Sequence, residues 1–127
     1  MRGQSILMSD PFRFRQFKVY QDAKRAYLQS VGITRKFPKE YYDLIDQLRR
    51  AALSVCLNIA EGSAKQSDRD FRRFILVALG STNEVVACLD IVIDLLPLMN
   101  EEVVHLLRQY EQIGKQLGGL AKKLQVS

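Results

Sequence analysis

Apolar side chains recur at helical spacing in four stretches of this chain. Val19, Ala23, Ala26 and Tyr27 share one face of a segment from Phe17 to Val31, and Gly32 supplies a stop. Leu44, Leu48, Ala52, Val55 and Ile59 mark a second stripe. That helix is expected to begin near Pro38, whose missing N–H costs nothing in a first turn, and to close at Gly62. Glu40 and Asp43 suit the positive end of its dipole. A third helix opens at Ser67, whose hydroxyl caps it, with Asp70 completing a capping-box-like pattern. Its stripe is Phe71, Phe74, Ala78, Val85, Leu89, Val92 and Leu96, and Pro97 ends it. Asn100 is placed to cap a fourth helix, with Glu101 and Glu102 in its first turn and Lys122 and Lys123 in its last. Val103, Leu106, Tyr110, Ile113, Leu117, Leu120 and Leu124 form the fourth stripe.

Connections of a few residues make neighbouring helices antiparallel. The expected fold is therefore all-α, an antiparallel up-down-up-down four-helix bundle. Its 127 residues, 47% hydrophobic and 26% charged, suit one globular domain spanning the whole chain, with residues 1–16 as an N-terminal extension. In that extension Phe12-Arg13-Phe14-Arg15-Gln16-Phe17 alternates aromatic and basic residues, a pattern read as an extended arm. Met8 is an alternative start, which would make Met1–Leu7 an upstream extension. The N-terminal apolar run is too short for a signal-peptide core, and no run of eighteen apolar residues exists, so no membrane association is expected. Cys56 and Cys88 lie in apolar helical sequence and read as buried thiols of a reducing compartment, which points to the cytoplasm.

Helices two and three are more apolar than a monomeric bundle requires. Ala51 to Ala60 is apolar around its whole circumference, and Ile75–Leu79 and Val85–Ile93 are similar. A helix apolar all round is buried on every side, and a four-helix monomer offers no such position, so self-association is expected. Within these stretches lie Ser54, Asn58 and Glu61 on helix two and Ser81, Asn83 and Glu84 on helix three. Buried groups of this kind must be hydrogen-bonded, and Ser54, Asn58, Glu61, Ser81 and Glu84 are expected to form a structural polar network. Metal-binding bundles supply Glu-x-x-His motifs, whereas the one histidine here, His105, is remote from both groups. No metal site, cofactor or catalytic constellation is expected. Glu61-Gly62-Ser63-Ala64-Lys65 has too few glycines for a phosphate loop and follows a helix.

The formal net charge of +5 is unevenly placed. Met1–Lys36 holds eight basic residues against Asp10 and Asp22, whereas Ser67–Met99 holds three basic residues against five acidic ones. A basic segment attracts polyanions without specifying which. Arg13, Arg15, Lys18, Lys24, Arg25, Arg35 and Lys36 are the candidates for phosphate contacts, with Phe12 and Phe14 available to stack on bases.

Several of these elements together resemble a known family. Phe37-Pro38-Lys39-Glu40-Tyr41, Gln47-Leu48-Arg49-Arg50-Ala51-Ala52, Asn58-Ile59-Ala60-Glu61-Gly62 and Ala78-Leu79-Gly80-Ser81-Thr82-Asn83-Glu84 resemble the four-helix-bundle proteins encoded by 23S rRNA intervening sequences. The similarity runs from about Phe17 to Leu124. Gln16-Phe17 and Cys56-Leu57 depart slightly from the family pattern. The resemblance implies a bacterial cytoplasmic protein without enzymatic activity that assembles as a ring, a homopentamer. It extends more distantly to the accessory variability determinant proteins of diversity-generating retroelements, basic pentamers that bind nucleic acid and a reverse transcriptase. Two functions follow as expectations: an oligomer that binds RNA or DNA through its basic N-terminal segment, or an interaction scaffold that meets an acidic protein partner.

Overall fold

A computed structural model describes residues 10–125; the alternative start at Met8 and the residues before it lie outside that span. Among the described residues the chain is all-helical, with four long helices and no strand. These are α1 (Lys18–Thr34), α2 (Tyr42–Ser63), α3 (Asp68–Leu95) and α4 (Asn100–Lys123), with 3-10 turns at Arg13–Gln16, Lys39–Tyr41 and Pro97–Met99. Each long helix packs against its neighbours in the chain, and α4 closes back onto α1.

The apolar stripes meet in one core. Leu48, Val55, Ile59, Ile75, Val85, Leu89, Val92, Val103, Tyr110 and Leu117 are completely buried. Burying an aliphatic side chain of this size is worth about 1.5–3 kcal/mol, so these stripes dominate the stability of the fold. On the α1 side the stripe consists of small residues, Ala23 and Ala26, with Val19 and Ile33 near its ends. Its partner is bulky Tyr110, whose hydroxyl reaches Ser30 Oγ at 3.3 Å. Ser30 Oγ donates to Ala26 O, so the tyrosine serves as donor in the pair. Burial drives the Tyr110 phenol far above its usual pKa, and it stays neutral.

The structure differs from the sequence expectation at three helix ends and in the N-terminal arm. The first helix runs through Gly32 to Thr34, because nothing there calls for a left-handed residue: no described residue has positive φ. The stop comes instead from tight bonds Lys36 N–H to Ile33 O and Phe37 N–H to Thr34 O, just before Pro38. The segment after Pro38 first makes a 3-10 turn, so α2 begins only at Tyr42. Asn100 is the first residue of α4 and does not cap it; its Oδ1 is buried without a hydrogen-bond partner among the described residues. The expected extended arm is a compact 3-10 turn held against α1 and α2. The Ser67 cap forms as expected, accepting from Asp70 N–H at 3.1 Å.

By length and composition α3 could cross a membrane, but its Ile75, Ala78, Val85, Leu89 and Val92 are fully buried in the core. Leu76, Val77, Ile91 and Leu95 of the same helix face outward, as do Leu53 and Leu57 of α2. The all-round apolar character of these two helices is therefore not absorbed by one chain.

Gly62 makes the close approach between α2 and α3 possible. A Cβ added there would lie 2.8 Å from Phe74 Cβ and 3.0 Å from Phe71 Cδ1. Gly119 has nothing within 4 Å of such an atom. Gly62→Ala should therefore destabilise by about 1–3 kcal/mol through overpacking. Gly119→Ala should be neutral or stabilise by up to about 1 kcal/mol through helix propensity. Urea unfolding of the two variants checks the contrast; equal midpoints would refute it.

Candidate nucleic-acid interface

Three arginines are tied to helix C-termini, and two of them, Arg13 and Arg72, meet carbonyls of the last turn, which lack intrahelical donors. Arg13 Nε donates to Ser63 O at 2.9 Å at the end of α2, and its guanidinium lies 5.2 Å from the Phe71 ring centroid. Arg49 Nε donates to Thr34 Oγ1 at 2.8 Å, and its Nη2 reaches Val31 O at the end of α1. Arg72 Nε donates to Ala121 O at 3.0 Å near the end of α4. Positive charge at these negative ends of the dipole adds to the hydrogen bonds. Arg13, a candidate for phosphate contact on sequence grounds, is thus part of the fold.

The remaining candidates are divided. Arg15 pairs with Asp10 at 2.9 Å and lies 5.2 Å from the Phe12 ring centroid. Lys18 and Arg25 share Asp22, at 2.7 and 3.0 Å. Lys36 pairs with Glu102 at 2.8 Å. Lys24 and Arg35 are exposed and have no ion pair among the described residues. Arg35 and Lys36 stand beyond the C-terminal end of α1, about 25 Å along the helix from Lys18. They do not share a patch with Arg15, Lys18, Lys24 and Arg25.

A second basic cluster surrounds the α2–α3 turn, and sequence reasoning missed it. Lys65 Nζ lies 5.0 Å and Arg73 Cζ 4.7 Å from the Phe74 ring centroid. Arg69, Arg72 and Arg73 line a surface hollow of about 860 Å³ with Ser67, Asp70 and Leu76. Arg13 joins this cluster to the N-terminal turn through Ser63 and Phe71. The signal was present in Lys65, Arg69, Arg72 and Arg73, all within nine residues, but Asp68 and Asp70 among them and Glu84, Asp90 and Asp94 further along outweighed it when charge was summed over the helix. At 28 residues α3 is about 42 Å long, far beyond a Debye length of about 8 Å, so its two ends act separately.

The expected polar network forms in part. Ser54 and Ser81 hydroxyls meet at 2.8 Å, and Asn58 Nδ2 donates to Ser54 Oγ and Ser54 O. Glu84 is exposed and accepts from Gln47 Nε2 at 2.9 Å. Glu61 is exposed and joins none of these bonds, because it lies on the outward side of α2. The Ser54–Asn58–Ser81 bonds and the Gln47–Glu84 pair are thus separate, and Glu61 joins neither. Cys56 and Cys88 are free and buried; burial pushes the Cys56 thiol up to about 11 and also raises that of Cys88. His105 is exposed, and among the described residues no group of three or more His, Cys, Asp or Glu side chains is placed to hold a metal ion.

The comparisons with known proteins agree with this architecture. The sequence profile of the 23S rRNA-intervening sequence protein family matches residues 15–119. The chain belongs to the 23S rRNA-intervening sequence protein family. No curated protein matches it. Among solved structures it is similar to a protein of unknown function from the S23 ribosomal protein family of Bacteroides thetaiotaomicron, with a TM-score of 0.74 and 23% identity. That match covers 82% of this chain and 98% of the other, and at this identity it speaks for the fold alone. Family membership thus supports the helical fold and leaves the basic surface to be interpreted on its own chemistry.

Asp22 links the basic face to the α1–α4 seam, since it also accepts from Gln116 Nε2 at 2.9 Å. Burial works to raise its pKa, but hydrogen bonds from Lys18, Gln116 and Arg25 outweigh it and hold the carboxyl below its ordinary 3.8. A depressed carboxylate stabilises the fold above the unfolded pKa, and that stabilisation is lost as pH falls through the folded one. Wild type should therefore melt above Asp22→Asn at neutral pH, and the gap should close as pH drops below 3.8. Melting temperatures across an acid series measure this; a gap independent of pH would contradict it.

Proposed function

We propose that the protein is a non-enzymatic, cytoplasmic oligomer that binds RNA or DNA. The binding surface is the basic end formed by Arg15, Lys18, Lys24 and Arg25 with Lys65, Arg69 and Arg73. The observation that carries this reading is convergence: Arg13 fastens the N-terminal turn to the α2–α3 turn, so cations distant in sequence share one end. Consecutive helices alternate in direction. Asp22–Gln116, Ser30–Tyr110 and Lys36–Glu102 support this for α1 and α4, because one residue number rises as the other falls. Ser54–Ser81 and Gln47–Glu84 behave likewise for α2 and α3.

Self-association supports the same reading. Leu53, Leu57, Leu76, Val77, Ile91 and Leu95 are each between 39% and 56% exposed, an apolar face of the kind that marks an interface. Covering them with further copies places several basic ends on one particle, and weak phosphate contacts then reinforce one another through effective concentration. The family resemblance supplies five as the subunit number. Light scattering should return about five times the 14.6 kDa chain mass. Leu57→Asp with Ile91→Asp should reduce it to the single-chain value, and a wild-type monomer would remove the assembly.

Binding through phosphates has a defined salt dependence. The logarithm of affinity should fall linearly with the logarithm of salt, by about 0.9 per phosphate neutralised on duplex DNA and about 0.7 on a single strand. Lys24→Gln, Arg25→Gln, Arg69→Gln and Arg73→Gln combined should flatten that slope. Arg13 is left intact because its loss would uncap α2. Gel shifts across a salt series decide the matter: absence of any shift at low salt would remove the nucleic-acid reading and favour an acidic protein partner.

A further inference from the structure

An open groove of about 640 Å³ lies where the N-terminal 3-10 turn meets α1, lined by Phe14, Arg15, Tyr20, Lys24, Arg25 and Leu28. Tyr20, Lys24 and Leu28 follow one another at four-residue spacing, so they form a single row along the helix. The upper end of that row is aromatic: Phe14 meets Tyr20 edge to face, with ring centroids 4.8 Å apart. Its lower end is Leu28, 60% exposed although the side chain is purely apolar. Between them lies Lys24, which has no ion pair among the described residues, beside Arg25. Arg15 and Arg25 are each held by an aspartate, so their guanidinium groups are oriented before any ligand arrives.

We infer that this groove takes a single-stranded nucleic acid, with one unpaired base against Phe14 and Tyr20, the adjoining phosphate on Lys24 and Arg25, and the next nucleotide against Leu28. The inference rests on the proposed nucleic-acid binding and narrows it to a strand type. A bare phosphate would use the cations and leave both rings and Leu28 in water. A nucleotide joins a flat apolar body to an anion within one short span, which is what the row offers in order. Duplex DNA keeps its bases inside the stack and could present only phosphates here, whereas a single strand can turn a base outward to lie on an aromatic platform. Burial foremost, and then proximity to Cys56, raise the Tyr20 phenol pKa, so the ring meets a base in its neutral form.

The test uses the full-length protein and three fluorescent oligonucleotides of equal length: a single strand, the same strand with abasic sugars, and a duplex. Anisotropy at one fixed salt concentration should show the base-bearing strand binding about tenfold or more tighter than the abasic strand, since stacking of one base is worth that much. Leu28→Gln keeps the charge of the groove and changes an exposed side chain, and it should reduce that advantage without changing the melting temperature. Tyr20→Leu removes half of the aromatic platform and should erase most of the advantage. Equal binding of the base-bearing and abasic strands would overturn the groove inference and leave phosphate binding standing. An advantage that survives both variants would overturn it as well. Failure of all three oligonucleotides to bind at low salt would overturn the underlying nucleic-acid reading.

Discussion

The carbonyl groups at helix C-termini impose the constraint around which this molecule is organised. Each long helix ends with acceptors that its own backbone cannot satisfy. Arginines from adjoining segments supply donors at two of these ends, Arg13 to α2 and Arg72 to α4, and Arg49 binds Thr34 and Val31 at the end of α1. Each such bond also fastens one segment to another, so capping and tertiary assembly are the same interaction. The apolar stripes provide most of the stabilisation, but they are compatible with sliding; a guanidinium fixed on a named carbonyl is not. Register is thereby set by charge as well as by packing.

That division of labour changes how the positive charge should be interpreted. A cation that caps a helix is withdrawn from the ligand-binding inventory, whereas Lys24 remains available. Family membership gives the architecture a context without assigning a ligand. The proposed binding surface is then a matter of what remains after folding has taken its share of the arginines. Among the candidate cations Arg35 and Lys36 stand apart, while the others meet near the end where the N-terminal turn and the α2–α3 turn touch through Arg13 and Phe71.

Much of the helical layout was legible in the sequence, because the stripes from Val19 to Leu124 repeat at the period of a helix and Ser67 marks a start by its own chemistry. Termination was less legible. Gly32 and Asn100 carry residue types common at helix ends, yet Gly32 lies inside α1 and Asn100 opens α4 without capping it, since bonds from Phe37 and the 3-10 turn at Pro97–Met99 set those boundaries instead. Alternating Phe and Arg at residues 12–15 suggested an extended arm because periodicity alone cannot foresee Arg13 reaching Ser63, fifty positions away. The basic cluster at Lys65–Arg73 was hidden for a related reason: summing charge along a sequence ignores where in space each end of a long helix lies. Glu61 and Glu84 looked equivalent by spacing, but only Glu84 has Gln47 opposite it.

The two shielded thiols and the absence of tryptophan have a practical side. Cys56 and Cys88 are held in their protonated, unreactive form within the core, so maleimide chemistry at neutral pH meets little native competition. Leu98, fully exposed in the turn between α3 and α4, is a site where a new cysteine or tryptophan disturbs no packing. A single dye or indole placed there reports on its surroundings against a silent background. The chain therefore comes nearly ready for site-specific optical work, with one substitution and no need to remove native residues.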